Sequence, residues 1–89
     1  MKVTNSYITN VNMVANTRQT VNINITSITG YTPIGIVGYD IYTGSGNATA
    51  YVNSCHINET DNTKVTVIFE PNVSFPSGSV SVFVLYTKN

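Results

Sequence analysis

Cys55 and His56 are the only cysteine and the only histidine in the chain, and they are neighbours. A thiol beside an imidazole is the raw material of a nucleophile paired with its base. The surrounding residues read as a strand, however, and adjacent strand residues point to opposite faces. The pair therefore cannot close into a thiolate–imidazole unit, and the expected arrangement is a buried cysteine beside a half-exposed histidine. A metal site would need several copies of His56 gathered around a symmetry axis. With one cysteine, no intrachain disulfide can form.

The four acids give little more. Glu59 and Asp61 lie two apart in a polar turn over residues 58–63, where paired carboxylates suit a hard cation. A calcium loop needs several further oxygen ligands at fixed steps, and they are missing, so a solvated acidic turn is expected. Asp40 stands between Tyr39 and Ile41, where a carboxylate either faces water or accepts hydrogen bonds. A glycine-rich loop over residues 43–47 lacks the lysine and helix start of a phosphate loop. No catalytic set can be built from this inventory, so no enzyme, no metal and no cofactor is expected.

Recognition chemistry is better represented. Six tyrosines, at positions 7, 31, 39, 42, 51 and 86, each offer a flat apolar ring with a hydroxyl, which suits sugars and protein partners alike. Tyr31 and Tyr42 border predicted turns; the rest are assigned to a core edge or a subunit contact. Tyr31, Tyr42, Ser45, Asn47, Asn58, Glu59 and Asp61 are the candidate ligand-binding residues. Four N-x-[ST] sequons, at Asn24, Asn47, Asn58 and Asn72, carry no information, because 12 Asn with 21 Ser and Thr in 89 residues produce about three by chance.

These residues sit on short strands. Residues 20–26 alternate with Val21, Ile23 and Ile25 inward; residues 64–70 repeat the pattern with Val65, Val67 and Phe69. The last strand, 79–87, aligns Val80, Val82, Val84 and Tyr86, while its other face changes from Ser79 and Ser81 to Phe83 and Leu85. That change predicts cover by another sheet or another subunit. Weaker strands are expected over 6–14, 34–42 and 48–57, with residues 1–6 as a short N-terminal extension. Turns fall at 15–18, 30–33, 43–47 and 58–63. Residues 71–78, with two prolines and a glycine, are excluded from a central strand. Six or seven strands in one 89-residue domain predict an all-β fold, a small antiparallel sandwich of jelly-roll type.

Composition narrows the partners. Charged residues are 9% of the chain, against roughly 25% in an average domain, and the net charge is zero. No basic stripe is present to follow a phosphate backbone, which excludes nucleic acid as the expected partner. No apolar run approaches a membrane span, and the start, MKVTNSYITN, has no apolar signal-peptide core. Asn, Thr and Ser supply 33 of the 89 residues and keep the surface polar. A small, unstapled domain of zero net charge is a natural candidate for oligomerisation.

The run GYTPIGIVGY, residues 30–39, is the strongest single signal. Ile34 and Ile36 fall on one face and Val37, Tyr39 and Ile41 on the other, with glycines at 30, 35 and 38. Apolar residues on both faces predict cover on both sides, and the interior glycines predict a bulge, a bend or a close backbone approach. Ile36, Val37, Tyr39, Phe83 and Leu85 are the candidate oligomer contacts.

GYTPIGIVGYDI, preceded by TVNINITSIT and closed by SVSVFVLYTKN, resembles the small C-terminal β domain of bacteriophage and prophage tail-fibre proteins. The resemblance runs from about Val11 onward. It implies a fibre-tip or receptor-binding module on the virion surface, made in the bacterial host cytoplasm, commonly homotrimeric, that meets a glycan or protein receptor and other virion proteins. It transfers no individual binding residue. The sequence starts within a few residues of the domain, without a shaft or particle-anchoring segment, and is expected to be either an excised domain or a free-standing subunit with a different assembly role. Two further readings remain open: a structural virion subunit for capsid decoration or tail assembly, and a bacterial carbohydrate-binding module.

Overall fold

Period-two alternation of β-branched residues is met by strands throughout. The computed structural model describes residues 1–44 and 49–89. Its elements are β1 (Lys2–Met13), β2 (Gln19–Asn24), β3 (Tyr31–Tyr42), β4 (Ala50–Ile57), β5 (Lys64–Pro71) and β6 (Phe75–Lys88). They form two three-stranded antiparallel sheets, β1-β6-β3 and β2-β5-β4, which stack as a small sandwich. Pairing is nested: the first strand lies beside the last and the second beside the fifth, after which β3 and β4 close the far sides of β6 and β5. This is the ribbon logic of a jelly roll, shortened from eight strands to six.

The two central strands carry the core. Val65, Val67 and Phe69 from β5 meet Val80, Val82, Val84 and Tyr86 from β6, and none of these side chains retains exposed surface. Val11, Met13 and Ile23 complete the cluster. Each buried side chain of this kind contributes about 1.5–3 kcal/mol of transfer free energy. A polar tie centred on Tyr86 crosses the layers. The Tyr86 hydroxyl donates to the Thr26 carbonyl at 2.6 Å, and the Thr26 N–H donates to the Ser6 hydroxyl at 3.0 Å. Ser6 on β1, Tyr86 on β6 and the segment after β2 are thereby held together, and burial pushes the Tyr86 hydroxyl pKa up.

Three boundaries differ from expectation. Residues 2–6 are not an extension but the first half of β1. Thr4 and Ser6 pair with Val84 and Val82 and so face the interior, while Val3 and Tyr7 face out. Polar residues inside and apolar ones outside invert the usual pattern and hide the strand. Residues 75–78 belong to β6, a central strand. Pro76 is tolerated because the β1–β6 register is irregular between Val11/Gly78 and Met13/Phe75, and β3 pairs no further than Ser79. Pro33 likewise lies inside β3, not in a turn, because β3 is an edge strand. Gly78 is required by space: a Cβ there would stand 2.5 Å from the Met13 Cε and 2.8 Å from the Tyr42 carbonyl oxygen.

Candidate functional site

The GYTPIGIVGY run owes its double apolar character to two consecutive bulges. Pairing with β6 passes from Pro33/Tyr86 to Gly35/Leu85 and from Ile36/Val84 to Gly38/Phe83. The register thus skips Ile34 and Val37, so Ile34 with Gly35 opposes Leu85, and Val37 with Gly38 opposes Phe83. Each bulge adds one residue to the outer face and restores the inner alternation at the next position. Ile36 and Ile41 consequently both pack on the core although five positions separate them. Gly38 leaves room for the Phe83 ring, which lies 3.4 Å from where its Cβ would be.

The result is an apolar outer face on the β1-β6-β3 sheet. One cross-strand row holds Val3, Leu85 and Ile34; the next holds Asn5, Phe83 and Val37; Tyr7 follows beside Ser81 and Asp40. Val3, Tyr7, Ile34, Val37 and Phe83 are 54%, 65%, 48%, 56% and 36% exposed, and none packs against the core cluster. Asp40 is the single charged side chain in these rows, at the end of the third.

The opposite outer face, on β2-β5-β4, is polar and internally hydrogen-bonded. The Thr66 hydroxyl donates to Asn22 Oδ1 at 2.8 Å and accepts from Asn58 Nδ2 at 2.9 Å. Lys64 Nζ donates to Asn24 Oδ1 at 2.6 Å, Ser54 and His56 Nδ1 are 2.9 Å apart, and Arg18 pairs with Glu70 at 3.6 Å. Cys55 points the other way, opposite Val67, and packs against the core; burial raises its thiol pKa. The thiol and imidazole thus lie on opposite sides of one strand, and among the described residues no group of three or more His, Cys, Asp or Glu is placed to hold a metal.

The remaining candidates scatter. Phe83, Leu85 and Val37 share the outer face, whereas Ile36 and Tyr39 do not lie on it. They pair with the inward Val84 and Val82, so Ile36 is partly buried and Tyr39 stands half-exposed at the sandwich rim. The two bulges between positions 33 and 38 cause this exchange of faces. The sequence did not place Val3, Tyr7 and Ile34 on this face, because the first half of β1 puts polar Thr4 and Ser6 inward and the bulge at Ile34 shifts its face. Tyr31 is not a free turn residue; it packs on the core with the Lys2 ammonium 4.7 Å above its ring. Tyr42 is exposed and meets Phe75 edge-on, with ring centroids 5.7 Å apart. Ser45 and Asn47 lie outside the described residues.

The 58–63 turn spends its polar groups on itself. Asn58 Oδ1 accepts from the Thr60 N–H, the Thr60 hydroxyl and the Asp61 N–H, and Asp61 Oδ1 accepts from the Thr63 hydroxyl and N–H. The Thr63 hydroxyl and N–H lower the Asp61 pKa. Glu59 is exposed there, as are Thr60, Asn62 and Thr63. Between this turn and residues 25–28 lies a pocket of about 170 Å³, lined by Ile25, Ile28, Tyr31, Pro33 and Tyr86 among others, smaller than the roughly 300–1,000 Å³ of small-molecule sites. No protein-family model, no curated protein and no solved structure matches the chain.

Proposed function

We propose that this chain is a non-enzymatic assembly and recognition domain, a phage tail-fibre tip or receptor-binding module that acts as a homotrimer. Subunits meet through the outer face of the β1-β6-β3 sheet, and the polar β2-β5-β4 side is turned to water and to the bacterial surface. The observation that carries this reading is the contrast between the two outer faces: one apolar and nearly free of charge, the other polar and hydrogen-bonded within itself. Apolar sheet faces with charges confined to the rim favour burial against a partner. The fibre-tip identity comes from the resemblance of GYTPIGIVGYDI and the closing strand.

Sedimentation equilibrium at micromolar concentration tests the assembly, with a mass three times 9.6 kDa expected; a stable monomer overturns it. Saturable binding of labelled protein to bacterial cells tests recognition. A trimer that binds no plausible host moves the reading to a structural virion subunit that contacts only other virion proteins.

A further inference from the structure

Every sheet edge offers unpaired N–H and C=O groups, and folded proteins blunt such edges with bulges, prolines, charges or short strands. Three of the four edges here are blunted. β3 carries Pro33 and the bulges at Ile34 and Val37; β4 breaks register between Val52 and Ser54; β2 has only six residues, and Thr20, Asn22 and Asn24 make its outer row polar. The far half of β1 is closed as well. Its register slips between Ile8 and Val11, where Asn10 has φ 56°. Beyond that, the Gln19 amide stands in for a neighbouring strand, accepting from the Val14 N–H at 2.8 Å and donating to the Asn12 carbonyl at 2.7 Å.

Residues 2–8 have none of these devices. They pair with β6 without a slip from Lys2/Tyr86 to Ile8/Val80, and among the described residues no backbone hydrogen bond reaches them from outside the sheet. Their one charge, Lys2, is drawn over the Tyr31 ring. We propose that this edge pairs with the same edge of a second copy, antiparallel about a two-fold axis at Asn5.

The sequence is self-complementary in that register. Lys2 falls opposite Ile8 of the second copy, Val3 opposite Tyr7, Thr4 opposite Ser6 and Asn5 opposite Asn5, so no like charges meet. Valine beside tyrosine is a favourable cross-strand pair. The two three-stranded sheets would become one of six strands, and their apolar outer faces would join without a seam. The contact uses the side of the sheet and not its face, so it does not rest on the trimer; where both contacts form, the mass is a multiple of the trimer's.

Cysteine crosslinking reads the register directly, in a Cys55→Ala background. Directly opposed residues have Cα atoms about 4.5–5.5 Å apart, inside the roughly 4.4–6.8 Å range of a disulfide. Asn5→Cys should form a disulfide-linked dimer on mild oxidation. Val3→Cys and Tyr7→Cys should crosslink when mixed but not separately, because each lies four residues from its own copy across the axis. Failure of both the Asn5→Cys and the mixed reactions overturns the proposal, as does Val3→Cys alone crosslinking as readily as the mixture. All three positions are exposed in the single chain, and a melting curve for each variant excludes loss of fold as the cause.

Discussion

An aspartate in place of Val37 is the sharpest perturbation of the proposed assembly face. Val37 sits in a bulge, half in water and away from the core, so Val37→Asp should leave the single domain within about 0.5 kcal/mol of its original stability. Its effect on association is larger. The five exposed apolar residues of the face leave the equivalent of about two and a half side chains in water, worth about 4–8 kcal/mol per subunit if fully covered. Bringing subunits together costs roughly 4–15 kcal/mol in lost freedom, so the favourable surplus is small and each residue matters. The variant loses the valine's share and must also desolvate a carboxylate at several kcal/mol. A net loss of about 3 kcal/mol weakens association about a hundredfold. Sedimentation equilibrium across a concentration series measures the shift, with Tyr51→Asp on the opposite sheet as the control that keeps the parent mass. If Val37→Asp retained the parent association constant while Tyr51→Asp dissociated, the assignment of the face would be wrong.

Tyr86→Phe removes the hydroxyl that satisfies the Thr26 carbonyl; a loss of about 1–2 kcal/mol, read by urea unfolding, is expected, and an unchanged midpoint would show that the tie contributes nothing. Gly78→Ala forces a methyl against Met13 and the Tyr42 carbonyl, costing at least about 2 kcal/mol and lowering Tm by roughly 4–8 °C for each kcal/mol; thermal melting checks this, and a Tm equal to the parent's would refute it. Asp61, with its pKa lowered first by the Thr63 hydroxyl and then by the Thr63 N–H, should titrate below ordinary aspartates in a carboxyl NMR series. A lowered folded-state pKa means the turn's contribution is present above the ordinary aspartate range and fades as pH falls through the lowered value; Thr63→Val should return the midpoint toward the ordinary value.

Central strands were legible in the chain because burial and alternation agree there. Val65, Val67 and Phe69, and likewise Val80, Val82, Val84 and Tyr86, point inward as the period-two pattern requires. The change from Ser81 to Phe83 and Leu85 predicted cover by another sheet or another subunit; among the described residues no second sheet lies over that face, and Phe83 stands exposed. Edge strands were harder, because their side chains answer to fewer neighbours. Thr4 and Ser6 are polar yet face in, as the Ser6–Thr26 contact accommodates, so hydropathy alone could not start β1 at Lys2. In β3 the interior glycines predicted a bulge, a bend or a close approach without choosing among them; Ile36 and Val37 could be assigned faces only through their partners on β6. The 58–63 turn was placed by its composition, whereas its closed set of internal hydrogen bonds depends on side-chain geometry that spacing does not specify.

The paired bulges of β3 also bear on how such a surface can vary. Ile34 and Val37 are each a supernumerary residue: removing Ile34 would bring Pro33/Tyr86 and Gly35/Leu85 into regular succession, and removing Val37 would do the same for Ile36/Val84 and Gly38/Phe83. A single-codon deletion, which in an ordinary strand flips every following side chain to the wrong face, would here trim one apolar group from the exterior and leave the interior register intact. Length change, normally the most disruptive kind of mutation in a sheet, becomes a way to adjust this surface one residue at a time.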